Sequence, residues 1–117
     1  MGEGFKKLIV WQKAYAFALS IYKVTQQYPK HEQYGLTSQI RRAALSISGN
    51  IAEGYTRLHR KEYIQFLMIA KGSLAEVETF LLFSKDLGYI TDAEYLKIDE
   101  VRKEVGRTLA GLIKSLR

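Results

Sequence analysis

The stretch that decides the fold is GLTSQIRRAALSISGNIAEG, residues 35–54. Its apolar residues recur at steps of three and four, which places their side chains on one face of an α-helix. They are Leu36, Ile40, Ala43, Ala44, Ile47 and Ile51. A second stripe with the same steps lies on a different face and consists of Gln39, Arg42, Ser46, Asn50 and Glu53. The outer face of an ordinary surface helix is rich in Lys and Glu, whereas this second stripe carries mostly short hydrogen-bonding side chains. We therefore expect this stripe to pack against another surface with its polar groups paired; the alternative is a solvated face that happens to carry few lysines.

The rest of the chain predicts three more helices around this one. The first covers residues 7–28 and ends before Pro29, the only proline, because proline removes a backbone donor. The second covers 36–56, and its Gly49 indicates either a bend or a close approach of another backbone. The third covers 61–87 and is followed by Gly88, which suits the position just past a helix end. The fourth opens with the capping box Thr91–Glu94. Short connections favour antiparallel neighbours, so we predict an all-α, up-down-up-down four-helix bundle, with residues 1–117 as a single domain and residues 1–5 as a loose lead-in.

The apolar stripes of these helices predict the core and one extra surface. In the first helix the stripe is Leu8, Trp11, Tyr15, Ala18, Tyr22 and Thr25, widened by Ile21; in the fourth it is Ile98, Val101, Val105, Leu109, Leu112 and Leu116. The third helix carries one stripe of Tyr63, Phe66, Leu67, Ala70, Leu74, Val77 and Leu81, and a neighbouring one of Ile69, Ser73, Glu76, Phe80 and Phe83. This apolar width exceeds what one small bundle needs, and it predicts contact between subunits.

Composition excludes several classes of protein. At 47% hydrophobic and 26% charged residues, the chain of 117 residues suits one folded domain. The absence of cysteine excludes disulfides and thiolate metal sites. His31 and His59 lie far apart, so no metal-ligand spacing occurs. No apolar run approaches the roughly 20 residues of a membrane span, and the N-terminus does not resemble a signal peptide. We expect a cytoplasmic protein with no metal, no cofactor and no membrane contact.

Three segments resemble one family of bacterial proteins. They are LIVWQKAYAFALSIYKVTQQYP (8–29), YGLTSQIRRAALSISGNIAEG (34–54) and EYIQFLMIAKGSLAEVETFL (62–81). Together they resemble the four-helix-bundle proteins first noticed as reading frames within intervening sequences of 23S rRNA genes. The resemblance implies a bundle that assembles as a ring, typically a homopentamer, whose relatives include nucleic-acid-binding accessory proteins of retroelement reverse transcriptases. Two positions depart from the family, which often has Pro where Ser48 stands and Gly where Thr56 stands.

The polar stripe of the second helix has an expected partner on the third. Antiparallel packing around a turn near residue 59 sets Arg42 opposite Glu76, with Ser73 and Gln39 nearby. We predict a partly buried Arg42–Glu76 ion pair, and a structural role for the whole stripe in specifying register or subunit packing. The stripe comprises Gln39, Arg42, Ser46, Asn50, Glu53, Ser73 and Glu76. The alternative role is a ligand or nucleic-acid groove lined by Gln39, Arg42, Ser46 and Asn50.

The charged residues separate between the two ends of the predicted bundle. The net charge of +6 does not by itself require a polyanionic partner. One end carries Lys6, Lys7, Arg57, His59, Arg60, Lys61, Lys114 and Arg117, with Tyr55 and Tyr63 beside the turn; the other carries Glu32, Asp86, Asp92, Glu94, Asp99 and Glu100. Lys6, Lys7, Arg60 and Lys61 lie near helix starts, where the helix dipole does not favour cations. Binding to phosphate groups would explain these four cations. The alternative is that they form a charged rim that keeps the protein in solution. The candidate nucleic-acid-binding residues are Lys6, Lys7, Arg57, Arg60, Lys61, Lys114 and Arg117.

No catalytic constellation is visible. The carboxylates have no histidine at helical spacing, and no phosphate-cradling glycine loop or nucleophile elbow occurs. We therefore expect a non-catalytic accessory or scaffold protein that self-assembles and engages nucleic acid, a nucleic-acid enzyme such as a reverse transcriptase, or both. The alternative is a structural oligomer or protein-interaction module without nucleic-acid binding.

Overall fold

Four helices form an antiparallel bundle of about 43 × 25 × 25 Å. The computed structural model describes residues 3–117, with helices α1 (Ile9–Thr25), α2 (Leu36–Tyr55), α3 (Arg60–Asp86) and α4 (Asp92–Leu116). Each helix packs on the next along the chain, and α4 closes the bundle against α1. The predicted all-α four-helix bundle is confirmed. Within residues 3–117, none of the helices combines the length and apolar composition needed to cross a membrane.

The helix ends follow local signals, with one error at the start of the chain. Gly88 has φ of +78°, the left-handed conformation predicted just past a helix end. Thr91 and Glu94 make the reciprocal bonds of the predicted capping box. The first helix is shorter than predicted, because a short 3-10 helix, Gly4–Lys7, precedes it and residues 26–28 form a turn after it. A second 3-10 helix, Lys30–Glu32, follows Pro29. Residues 4 and 5 are therefore not a loose lead-in, while residues 1–2 of that prediction lie outside the described residues.

The buried face of α1 overlaps the predicted one only in part, at Ala18, Ile21 and Thr25. Its buried residues are Val10, Ala14, Phe17, Ala18, Ile21 and Thr25. Tyr15 is half exposed, and Trp11 and Tyr22 are only partly buried. Apolar residues surround most of α1, so a three-four spacing fits two overlapping stripes. Val10, Ala14 and Phe17 enter the core in addition, while Tyr15 stays outside and Trp11 packs only against the edge of the core.

The end of α2 and the start of α3 approach each other closely. A Cβ added at Gly54 would lie 2.8 Å from Phe66 Cβ and 3.2 Å from the Tyr63 carbonyl oxygen. A Cβ added at Gly49 would meet nothing within 4 Å. The close approach expected at Gly49 therefore occurs at Gly54 within the chain.

The inner face of α4 also differs from the predicted seam. Ile98, Val105 and Leu109 are buried as predicted, but Val101 is 40% exposed. Ile113 and Asp99 are buried in addition. The buried side of α4 therefore includes the Asp99 carboxylate, which pairs with Arg102 of the same helix.

Candidate nucleic-acid interface and assembly surface

The polar stripe of α2 divides into a paired centre and exposed ends. Ser73 of α3 donates a hydrogen bond to Ser46 Oγ at 2.9 Å, and Asn50 Nδ2 donates to the same oxygen at 2.9 Å. Ser73 is buried, and Ser46 and Asn50 are partly buried. These three residues join α2 to α3. Gln39, at one end of the stripe, is exposed.

The predicted Arg42–Glu76 ion pair is wrong for the single chain. Both residues are exposed, and among residues 3–117 no ion pair joins them. Glu53, the third charged residue of the stripe, pairs with Arg57, four residues further along the chain, at 2.8 Å. Long side chains at the solvent side of a helix pair gain little by pairing there, so only the short side chains at the centre of the stripe bond across the helices.

A buried ion pair lies within α4, and one of its members also reaches α3. Arg102 Nε is 2.6 Å from Asp99 Oδ1, and both side chains are about nine-tenths buried. Arg102 also reaches Glu78 of α3 at 3.3 Å, and Lys103 lies 3.8 Å from the second Asp99 oxygen. This network sets α4 against α3, and sequence reasoning missed it. The available signal was the three-residue spacing of Asp99 and Arg102 beside an apolar seam.

The basic end consists of two neighbouring groups of cations. The first surrounds the α2–α3 turn and comprises Lys6, Lys7, Arg57, Arg60 and Lys61, all exposed. The 3-10 helix Gly4–Lys7 packs against α2, and Lys7 Nζ lies 6.0 Å from the centre of the Tyr55 ring. Tyr55 contacts Tyr63 edge-on, with ring centres 6.2 Å apart. The structure therefore brings residues from the N-terminal segment to the turn.

The second group lies further along the bundle axis. Lys114 and Arg117 of α4 line a shallow depression with Met68 and Lys71 of α3, and Arg117 Nη2 is 3.9 Å from Met68 Sδ. Met68 is eight residues beyond Arg60, which corresponds to about 12 Å along a helix. The predicted cations thus form two patches rather than one, and Lys71 joins the second.

Most of these cations have no carboxylate partner. Within the described part of the chain, Lys6, Lys7, Arg60, Lys61, Lys114 and Arg117 make no ion pair within 4.0 Å. Arg57 is the exception, because Glu53 binds it and its guanidinium stacks over the Phe66 ring at 4.7 Å. Burial raises the pKa of the neighbouring Tyr63 hydroxyl.

Two of the acidic residues at the opposite end cap helices. Glu32 Oε1 accepts a hydrogen bond from the Leu36 backbone N–H at 3.0 Å, and Oε2 accepts one from the Tyr89 hydroxyl at 2.8 Å. The backbone bond first, and the Tyr89 bond second, lower the pKa of Glu32. Glu94 closes the capping box, and its bond from the Thr91 backbone lowers its pKa in the same way. Helix capping therefore explains these two carboxylates.

An apolar groove lies between α1 and α2 on the outside of the bundle, and sequence reasoning did not predict it. The groove encloses about 580 Å³ and is lined by Phe5, Trp11, Tyr15, Ala18, Leu19, Tyr22, Leu45, Ser48, Gly49 and Ala52. Trp11 contacts Phe5 and Tyr15, with ring centres 5.2 and 5.1 Å apart. Leu19 and Leu45 are each more than half exposed at its edges. The available signal was the apolar character of α1 on nearly every side.

Two of the apolar residues predicted to form an extra surface on α3 are exposed. Ile69 is 50% and Phe83 56% exposed. In contrast, no group of three or more acidic or histidine side chains among residues 3–117 is arranged to hold a metal ion.

Comparison with known proteins assigns the chain to a family. The sequence model of the 23S rRNA-intervening sequence protein family matches residues 6–111. The chain belongs to this family. A solved structure described as a protein with unknown function from the S23 ribosomal protein family of Bacteroides thetaiotaomicron is 29% identical to this chain and superimposes on it with a TM-score of 0.81. The match covers 91% of this chain and 99% of that one. No curated protein matches the chain.

The two positions at which this family member departs from the usual pattern fit the bundle. Ser48 lies inside α2, and its hydroxyl donates to the Leu45 carbonyl at 3.2 Å. Thr56 ends α2 with φ of −78°, a conformation that needs no glycine, and its hydroxyl donates to the Glu53 carbonyl at 2.7 Å. Helix α2 therefore runs unbroken to the turn.

Proposed function

We propose that this member of the 23S rRNA-intervening sequence protein family is a non-catalytic, self-assembling accessory or scaffold protein of the cytoplasm that binds RNA or DNA through its basic end. The observation that carries the proposal is the group of exposed cations without carboxylate partners around the α2–α3 turn. Cations left unpaired near a helix start repel both each other and the positive end of the helix dipole. A row of phosphates removes that repulsion and releases counterions on binding.

Self-assembly is the second part of the proposal, and the apolar groove between α1 and α2 supports it. A monomer gains nothing by keeping Leu19, Leu45 and Tyr15 in water. Burying such side chains against another copy contributes about 25 cal/mol per Å² of apolar surface. In a closed assembly each basic end is repeated, so weak attraction at one subunit becomes strong binding by the whole.

The salt dependence of binding tests the proposed interaction with nucleic acid. Binding of single-stranded and duplex RNA and DNA of mixed sequence is measured by fluorescence anisotropy at two salt concentrations. We expect binding at low salt that weakens with a slope of roughly −0.7 to −0.9 per phosphate contacted. Absence of binding to every probe at low salt contradicts the proposal.

A matched pair of variants distinguishes the effect of the basic end on binding from the effect of the net charge. The first variant changes four cations of the basic end to glutamine: Lys6, Lys7, Arg60 and Lys61. The control variant removes four cations elsewhere: Lys23, Lys30, Lys85 and Lys97. Both have the same net charge, so only the first should lose nucleic-acid binding. Equal losses would show that net charge, rather than the basic end, attracts the nucleic acid.

A structural oligomer or protein-interaction module without nucleic-acid binding is the alternative, and the apolar groove is the observation that favours it. Its partner would be another copy or a nucleic-acid enzyme such as a reverse transcriptase. This alternative predicts that the four-glutamine variant of the basic end keeps its mass by light scattering and its partner binding, and that the wild type binds no nucleic acid.

A further inference from the structure

Among residues 3–117, the most exposed of the large apolar side chains lies among the cations of the basic end. Leu58 is 94% exposed in the turn between α2 and α3. Its neighbours along the chain are Arg57, His59, Arg60 and Lys61, which are all exposed. A leucine in this position contributes nothing to the core, and its side chain is open to a bound molecule that also contacts the surrounding cations.

The turn holds Leu58 on a well-defined backbone. At the end of α2, the Thr56 N–H donates to the Glu53 carbonyl at 3.1 Å and the Arg57 N–H donates to the Gly54 carbonyl at 3.1 Å. At the start of α3, the Tyr63 N–H donates to the His59 carbonyl at 3.1 Å. Leu58 therefore projects from between two fixed helix ends, and little backbone entropy is lost when it binds.

The cations next to Leu58 differ in how free they are. The Arg57 guanidinium is occupied by Glu53 and by the face of Phe66. Arg60 and Lys61 make no ion pair within the described part of the chain. The tip thus presents one apolar side chain beside two cations that are available to phosphates.

We propose that Leu58 is a wedge that enters between neighbouring bases of a bound nucleic acid while Arg60 and Lys61 contact its phosphates. This inference rests on the proposed nucleic-acid binding. Apolar side chains that enter a base step in this way partly unstack it. The gain from burying one leucine is comparable with the cost of unstacking one step, so the wedge favours a step that is already open. The ligand class is therefore a duplex interrupted by a bulge or mismatch.

Two other partners fit the same residues less well. One leucine buries far less apolar surface than stable attachment to a membrane needs. A pocket on a protein would have to desolvate the surrounding cations as well, at high cost. A base step needs only one apolar side chain, and the flanking phosphates neutralise the cations.

The test compares Leu58→Ala with Arg60→Gln on two pairs of probes. Each pair is an RNA or DNA duplex with and without one unpaired nucleotide, with 2-aminopurine beside the bulge. We expect Leu58→Ala to bind the bulged duplex roughly ten-fold more weakly, with little change on the paired duplex and an unchanged salt slope. Arg60→Gln should weaken both and reduce the slope by about one. The 2-aminopurine signal that reports unstacking should be lost in Leu58→Ala and kept in Arg60→Gln.

Leu96→Ala is the matched control, because Leu96 is an exposed leucine on α4 and should change neither affinity nor fluorescence. If the wild type binds no probe at low salt, the proposed nucleic-acid binding fails and this inference fails with it. If the wild type binds, but Leu58→Ala binds the bulged duplex normally or loses both duplexes equally, only the wedge is overturned. Loss of binding to vesicles containing phosphatidylserine, with nucleic-acid affinity unchanged, overturns it in favour of a membrane contact.

Discussion

The contact at Gly54 gives the sharpest prediction about how the bundle is held together. In Gly54→Ala the new methyl group would lie 2.8 Å from Phe66 Cβ, 3.0 Å from Tyr63 Cδ1 and 3.2 Å from the Tyr63 carbonyl oxygen. Two of these three atoms are attached to, or part of, the α3 backbone and cannot rotate away. Ordinary contacts between carbon atoms are about 3.5–4.0 Å long, so α2 and α3 must separate by several tenths of an ångström.

The size of the effect follows from two opposing contributions. Replacing a helical glycine by alanine favours folding by about 1 kcal/mol, and overpacking a close contact costs about 1–3 kcal/mol. Gly54→Ala should therefore be neutral to about 2 kcal/mol less stable than the wild type. Gly72→Ala is the matched control, since Gly72 lies within α3 and a Cβ there meets nothing within 4 Å. It should be about 1 kcal/mol more stable.

Thermal unfolding followed by circular dichroism measures the difference at one protein concentration, with the mass checked by light scattering. For a chain of this length 1 kcal/mol corresponds to about 4 °C, so the midpoints of Gly54→Ala and Gly72→Ala should differ by roughly 4–12 °C. A Gly54→Ala midpoint as high as that of Gly72→Ala would refute the reasoning, because it would mean that the two helices separate without cost.

Three further predictions follow from the ion pair, the capping carboxylate and the groove. Arg102→Ala leaves the Asp99 carboxylate buried without its nearest cation and should lower the free energy of unfolding in urea by about 3 kcal/mol; a loss below about 1 kcal/mol would contradict burial of the pair. The pKa of Glu32 is lower in the folded chain than its ordinary value of 4.5, so its contribution to stability is present above pH 4.5 and is lost as the pH falls through the folded pKa. The difference in melting temperature between wild type and Glu32→Gln should therefore be clear at pH 7 and shrink towards pH 3, and a difference independent of pH would exclude this role. Leu19→Glu places a charge at the edge of the α1–α2 groove and should lower the mass seen by light scattering towards that of a monomer, whereas an unchanged assembly would show that the groove is not used.

The helices and their ends were predictable because their causes are local. The three-four spacing of Ile40, Ile47 and Ile51 marks a face that the structure buries completely. Gly88 and the Thr91 capping box act through bonds to residues a few positions away. Such signals depend on backbone conformation and on neighbours along the chain, so they can be found before the fold is known.

The partners of long polar side chains were not predictable in the same way. Antiparallel packing was enough to expect Arg42 near Glu76, but whether an ion pair forms depends on how deeply each side chain is buried. The structure leaves that pair in solvent and buries Asp99 with Arg102 instead. Ser46 and Ser73 do form a hydrogen bond, because both side chains are short and lie at the contact between α2 and α3.

The sequence alone determined that the chain forms four amphipathic helices, that α2 carries a polar stripe and that the cations and several carboxylates lie at opposite ends. Only the tertiary structure decided which face of α1 enters the core and therefore that Tyr15 and Leu19 line an outer groove. The physical reason is that periodicity is a property of one helix, whereas the rotation of that helix about its axis is chosen by the shapes of all its neighbours packed together.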